Sequence, residues 1–364
     1  MTTANTSNTS NTSNTSNTSN TSNTSNTSNT SNTSNTSGLE FAHAGSGSSA
    51  FLSRTLLDSA AEATETIPHA SVDIDPARIA PRDPGAAFRA MNPRHRAELL
   101  VSALMDGIDA VPLGPTEAGG WFTGDLTDHQ IAGLTLGGST VPVTALARGA
   151  SDQAYWTRQL REVLALASER WIRMDEIVAQ QTDILSYLAL PARLGPVTHP
   201  WTMGFLAAVH EFTVRVTIRV KAIHDMTRPL DFAPEVVPVI QTPAHSAFPS
   251  GHATESHALA ETLGALYGPR TGALIDPIAE RIALNRVVAG VHYPVDGEAG
   301  RAIGRLLGRI AVARLKGEAL SVQLTPVAGS CRAAGAEGTV TLPAAPRPAV
   351  LEWIAGRIAE ELGA

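Results

Sequence analysis

Asn285-Arg286-Val287-Val288-Ala289-Gly290-Val291-His292-Tyr293-Pro294-Val295-Asp296 reads as a tight joint between two helices. A helical pattern runs from Thr271 to Ala289, Gly290 fits a left-handed terminator, and Pro294 fits the first position of the next helix. That second helix extends to Lys316, with Ile303, Leu306, Leu307, Ile310 and Leu315 at helical spacing. His292 on such a joint cannot swing freely. Asp296, in the first turn that follows, is near enough to accept the ring proton. A carboxylate–imidazole pair of this kind fixes the tautomer and leaves the other nitrogen available as a nucleophile or a ligand.

Working outward, Phe248-Pro249-Ser250-Gly251-His252 opens a helix over Gly251 to Tyr267. Unpaired N–H groups at a helix start favour an anion, Gly251 permits close approach, and the Ser250 hydroxyl can donate to an oxygen. His252 sits in the first turn. Farther upstream, Lys221 and Arg228 lie on a helix from Trp201 to about Met226 and on its end, which Pro229 stops. Arg286 lies six residues before His292. Arginine offers a planar fork to two oxygens and lysine a point charge. Lys221, Arg228, Arg286, Ser250, Gly251, His252 and His292 together make a cage for a tetrahedral oxyanion, phosphate or vanadate.

The rest of the chain supports a mainly α, helical-bundle fold. A helical pattern over Gly85 to Gly107 puts Phe88, Met91, Leu99, Leu100, Ala103 and Leu104 on one face. Brief β-like runs occur at Ile131 to Leu136 and Val141 to Ala145. A long helical tract is expected from Asp152 to about Leu190, with Leu160, Val163, Leu164, Ala167, Trp171, Met174, Ile177 and Val178 as its apolar stripe. The expected organisation is a tail and lead-in at 1–82, a helical domain at 83–325 carrying the site at 221–300, and a linker and C-terminal helix (Ala349 to Leu362) at 326–364. Residues 5 to 37 are eleven Asn-Thr-Ser triplets without one apolar side chain, so nothing offsets the entropy of ordering them, and a disordered tail is expected.

The formal charge of −7 and the lack of a basic stripe argue against a nucleic-acid partner. No run approaches the ~18 apolar residues of a membrane span, and no export signal is visible. A soluble, cytoplasmic protein without a membrane span is therefore expected. Cys331 is the only cysteine, which excludes an intramolecular disulfide and reads as a lone loop thiol. His252, Glu255 and His257 have the wrong spacing for a His-Glu-x-x-His zinc site. His257 reads as a polar helix-face residue, and His224 and Asp225 as solvated near a helix end.

The pattern Lys-x6-Arg-Pro, Pro-Ser-Gly-His, Arg-x5-His-x3-Asp, carried by Lys221, Arg228, Ser250, Gly251, His252, Arg286, His292 and Asp296, resembles one superfamily. It unites the type 2 phosphatidic acid phosphatases, bacterial acid phosphatases and vanadium-dependent haloperoxidases. Asn285 departs from the serine usual there. The resemblance implies two chemistries. In phosphatases His292 would attack phosphorus, giving a phospho-histidine, and His252 would protonate the leaving alcohol; the substrate is a phosphomonoester and no cofactor is needed. In haloperoxidases His292 would be the protein ligand to vanadium, with hydrogen peroxide and halide as substrates. His245 falls where bromoperoxidases of the family carry histidine, so the expectation leans to a vanadate-dependent haloperoxidase of bromide or iodide type. A soluble phosphatase is the alternative, and a catalytically lapsed anion-binding protein the third reading. Family haloperoxidases are often oligomers, so a homo-oligomer is in view, although no interface is marked.

Overall fold

A computed structural model describes residues 83–118, 122, 127–147, 153–324, 333–335, 338–344 and 347–363. The Asn-Thr-Ser repeat, the lead-in to residue 82 and Cys331 lie outside the described residues.

The body opens with α1 (Pro84–Ala90) and α2 (Pro93–Met105). The single helix expected over Gly85 to Gly107 is thus broken. Pro93 brings no N–H to the ladder, and the Asn92 side chain caps the second piece by accepting from His95 N at 3.0 Å. Phe88, Leu100 and Leu104 are buried, but Leu99 is 41% exposed and does not belong to the core face.

Next come β1 (Ile108–Leu113), β2 (His129–Leu136) and β3 (Ser139–Ala147), paired antiparallel in that order. β2 and β3 are longer than the two β-like runs in the sequence, and β1 has no counterpart among them. Ala132, Leu134, Leu136, Val141 and Val143 share the main core with the helices.

The tract expected as one helix to Leu190 is three pieces. α3 (Gln153–Ala165) passes through a 3-10 turn into α4 (Arg170–Ala179), and α5 (Leu185–Ala189) follows a break at 180–184. Asp183 causes the restart by accepting from Ser186 N at 2.9 Å. Of the expected stripe only Val163 and Ile177 are buried; Leu164 is 38%, Val178 49% and Trp171 87% exposed. The break turns the face that a continuous helix would have buried.

α6 (Pro200–His224) crosses the middle of the core and leads to the short α7 (Pro229–Phe232). α8 (Gly251–Tyr267), α9 (Pro269–Val288) and α10 (Pro294–Lys316) complete the frame of the site. α8 lies directly on α10 because the contact face of α10 lacks side chains. A Cβ on Gly300 would stand 2.8 Å from Ser250 O, and one on Gly304 would collide with Thr254 O. The close approach sets the start of α8, with His252, beside the start of α10, with Asp296.

β4 (Leu320–Leu324), β5 (Ala333–Gly335), β6 (Gly338–Leu342) and α11 (Ala349–Leu362) follow. β5 pairs with β3 as the fourth strand of the first sheet, and β4 pairs with β6. The fold is mainly α, as expected, with this antiparallel sheet added. Among the described residues no helix is long and apolar enough to cross a membrane.

Candidate active site

The joint after α9 is built as the sequence implies. Gly290 has φ +85°, a left-handed conformation that side chains rarely adopt. The turn delivers His292 almost fully buried, with Nδ1 2.8 Å from Asp296 Oδ2. The same oxygen accepts the Tyr293 backbone N–H at 2.9 Å. Arg228 Nη1 lies 3.1 Å from His292 Nε2. A guanidinium only donates, so Nε2 is the accepting nitrogen and Nδ1 carries the proton given to Asp296. Burial holds His292 neutral, pushing its pKa well below the usual histidine range, and Arg228 and Lys221 add to the effect. Burial also pushes Asp296 up, against the Tyr293 N–H and the nearby cations.

Three cations converge on one cavity of about 250 Å³, which Lys221, Arg228, Arg286, Gly251, His252 and His292 all line. Lys221 comes from the last turn of α6 and donates to Ser246 O at 2.8 Å and Ala247 O at 3.3 Å. Arg228 uses all five of its N–H donors within the protein. They go to His245 O, Val291 O, His292 Nε2, His245 Nδ1 and Ser246 O. Arg286 is different. Nη2 donates to Ile177 O at 3.0 Å and more weakly to Gln180 Oε1 at 3.3 Å, while Nε and Nη1 are buried with no partner. Burial lowers the pKa of each cation, that of Arg286 to about 10. Buried donors are almost always paired, so two guanidinium nitrogens without an acceptor on a residue lining the cavity are exceptional.

Ser250 caps α8: its hydroxyl accepts from Ala253 N at 3.4 Å, and its N–H donates to Asp296 O at 2.9 Å. It does not line the cavity, where Gly251 and His252 stand. The capping hydroxyl spends a lone pair, which leaves its own O–H free to donate. His252 Nε2 lies 2.8 Å from Gln180 O, and a carbonyl only accepts, so Nε2 carries a proton and Nδ1 is the nitrogen left for the cavity. His245 lines the cavity beside Arg228, and burial lowers its pKa.

Sequence reasoning missed Gln180 and the role of Asn285. Asn285 Nδ2 donates to Gln180 Oε1 at 2.9 Å, and Arg173 donates to Asn285 Oδ1 at 3.0 Å, so the residue that departs from the family pattern ties α9 to α4. Glu255, weighed only as a zinc ligand, lines the cavity and pairs with His210 at 2.7 Å. Among the described residues no group of three His, Cys, Asp or Glu side chains could hold a metal ion. His224 is fully buried, against its solvated reading, and His257, read as a polar helix-face residue, is fully buried as well. His257 Nδ1 donates to Ala253 O at 2.8 Å, and His224 Nε2 bonds Thr144 Oγ1 at 2.8 Å, joining α6 to β3. A helical carbonyl and a strand hydroxyl supply these partners, which polarity alone does not announce.

Residues 199–318 match the family described as PAP2 superfamily. A decaprenylphosphoryl-5-phosphoribose phosphatase of Mycobacterium tuberculosis (strain H37Rv) is 33% identical over 128 residues, covering 35% of this chain and 66% of that protein. The protein of the same name from Mycolicibacterium smegmatis is 41% identical over 63 residues, covering 17% of this chain and 33% of its own length. The chain therefore spans just under two thirds of the first of these relatives and one third of the second. Among solved structures, a transmembrane PAP2-type phosphatidylglycerolphosphate phosphatase from Bacillus subtilis aligns at TM-score 0.35 with 19% identity, covering 44% of this chain and 86% of that one. A bacterial vanadium-dependent iodoperoxidase aligns at TM-score 0.32 with 17% identity, covering 46% of this chain and 51% of that one.

Proposed function

This chain carries a PAP2-superfamily domain over residues 199–318, and from that premise we propose that it is a phosphatase hydrolysing phosphate monoesters through a phospho-His292 intermediate. The unpaired Nε and Nη1 of buried Arg286 are the observation that carries the reading. They await oxyanion oxygens on the cavity that His292 lines. The curated relatives, named as phosphatases, favour this chemistry over halide oxidation.

A phosphoryl group enters among Arg286, Lys221, Arg228 and the start of α8, and Arg228 gives up its bond to Nε2. The Nε2 lone pair of His292 then bonds to phosphorus while the ester P–O bond breaks. The departing oxygen takes the proton from Nδ1 of protonated His252. Asp296 balances the charge that develops on the His292 ring. In the second half His252 Nδ1 removes a proton from water, the water oxygen bonds to phosphorus, and the P–Nε2 bond breaks to release phosphate. Val214, Ile218, Ile240 and Val291 line the same cavity, which suits an ester with an apolar portion.

His245 favours a second reading, vanadate-dependent haloperoxidase of bromide or iodide type, because it lines the cavity beside Arg228. The residues fit vanadate as they fit phosphate: His292 Nε2 would be its ligand, and Lys221, Arg228, Arg286 and Gly251 would hold its oxygens. Bound vanadate supplies a Lewis-acid centre that activates hydrogen peroxide towards halide. The third reading, a catalytically lapsed anion-binding protein, would need an occluded cavity or a distorted His292, and it gains if both assays below are negative.

The deciding experiment runs two assays on one sample. p-Nitrophenyl phosphate turnover inhibited by vanadate, with an acid-quenched phospho-histidine lost in His292→Ala, supports the phosphatase. Dye bromination that requires vanadate, bromide and peroxide together, with no ester hydrolysis, overturns it in favour of the second reading.

A further inference from the structure

We propose that Glu255, clamped by His210, is a positioning residue that keeps His252 able to hold the proton it gives to the leaving alcohol. The inference rests on the phosphatase reading. It starts from an imbalance around His252. Arg286 from α9 and His210 from α6 both push its pKa down, and Lys221, Arg228 and His292 line the same cavity. Gln180 O takes its Nε2–H. Against these groups stand two carboxylates. Asp296 is committed to His292 and to the Tyr293 N–H. Glu255 alone is left.

Glu255 is three residues along α8 from His252, a spacing that places both on one face. Its side chain is 14% exposed, and Oε2 lies 2.7 Å from His210 Nε2. Oε1 lies 3.0 Å from where a Cβ on Gly251 would stand, so the carboxylate folds back over the first turn of α8, where it lines the cavity. Burial is the main influence pushing the His252 pKa down, and Glu255 is the main one pushing it up. Burial pushes Glu255 up, but His210 and His252 outweigh it and keep its pKa below the usual carboxylate range. Glu255 in turn raises His210 against the effect of burial, so the two favour each other's charged forms.

A negative charge on the wall of an anion cage weakens anion binding by simple repulsion. A protein that keeps it there gains in another step. In this cage that step is proton delivery: when the ester P–O bond breaks, the alkoxide oxygen collects the proton from His252 Nδ1, and a neutral His252 has none to give. Glu255 itself exchanges no atom with the substrate.

The two effects of Glu255 have opposite signs, and Glu255→Gln separates them. Inorganic phosphate should inhibit the variant more tightly than the wild type. With phenyl phosphate, whose leaving group needs protonation, kcat should fall about tenfold, while 2,4-dinitrophenyl phosphate, which needs none, should change less than twofold. The alkaline limb of the phenyl phosphate profile should move about one pH unit lower, since activity is lost as His252 deprotonates. His210→Ala, at a half-buried position, should move each quantity the same way by less. In histidine side-chain NMR, with His252 assigned through His252→Asn, its titration should fall in Glu255→Gln. Equal losses on both esters with an unmoved limb, or an unmoved His252 titration, overturn the proposal. If the wild type hydrolyses neither ester the phosphatase reading falls, and the His252 titration alone then decides for or against Glu255.

Discussion

Gln180 accepts the Nε2–H of His252 through its backbone carbonyl at 2.8 Å, while its side-chain oxygen accepts from Asn285 and Arg286. One residue at the broken end of α4 thus holds both His252, the proposed proton donor, and Arg286, the proposed anion-binding cation. The two roles separate in Gln180→Leu, which keeps the carbonyl and removes the side-chain oxygen. Removing one partner of buried polar groups costs about 1–3 kcal/mol. Phosphate inhibition should therefore weaken by roughly 5- to 150-fold, while the pH–rate profile keeps its shape. An inhibition constant equal to wild type would remove Gln180 from the anion site.

Asp296 holds the His292 proton on Nδ1, and the Tyr293 N–H and Nδ1 compete for one oxygen. Asp296→Asn keeps the shape but supplies no charge to balance the ring during attack. In the Ser-His-Asp template the equivalent change costs about 10⁴-fold, so kcat on p-nitrophenyl phosphate should fall at least ~100-fold. Vanadate inhibition should stay within about tenfold of wild type, because the cations are untouched. Unaltered kcat would exclude Asp296 from the chemistry.

The joint at Gly290 to Asp296 was legible because each step is local: a glycine that turns, a proline that restarts, a carboxylate four residues past the histidine. α8, α9 and α10 likewise follow from period and caps. The four-stranded sheet was only half legible, since β5 joins β3 from almost two hundred residues away and no local pattern reports such a partner. The break at 180–184 carries no glycine or proline, so the 3.6-residue period ran straight through it. Gln180 then gave no signal at all. Its importance lies in a carbonyl freed by the end of a helix. Glu255 was visible as a residue type, and what it faces came only from the packing of α6 on α8.

Two buried imidazoles set the acid limit of stability. Burial lowers the pKa of both His292 and His252 below the unfolded value of about 6.5. Below that pH the unfolded chain binds protons that the folded chain refuses, so stability is lost as pH falls from about 6.5. Asp296, pushed up by burial, and His210, raised by Glu255, act in the opposite sense, while His245, also lowered by burial, adds to the two imidazoles. The melting temperature should therefore fall between pH 7 and pH 5, and saturating phosphate, which favours protonated imidazoles, should reduce the fall. A melting temperature flat across that range would contradict the burial of neutral His252 and His292.

On the proposed function, the cost of burying Arg286 is offset by a bound anion. Its guanidinium is buried, its Nε and Nη1 have no partner, and its pKa is pushed down to about 10 by burial alone. Replacing even a buried ion pair by apolar side chains of similar volume is often neutral or stabilising by about 1–4 kcal/mol, and a guanidinium with two unpaired donors has less to lose. Arg286→Met should accordingly melt higher than the wild type in the absence of phosphate. Wild type should gain stability as phosphate is added, by about 2.7 kcal/mol at a hundredfold excess over the dissociation constant, whereas the variant should gain little and turn over no ester. The two melting curves should converge or cross as phosphate rises. If Arg286→Met melted lower than wild type without phosphate and still gained stability with it, Arg286 would be a structural cation and the anion would have to be held elsewhere.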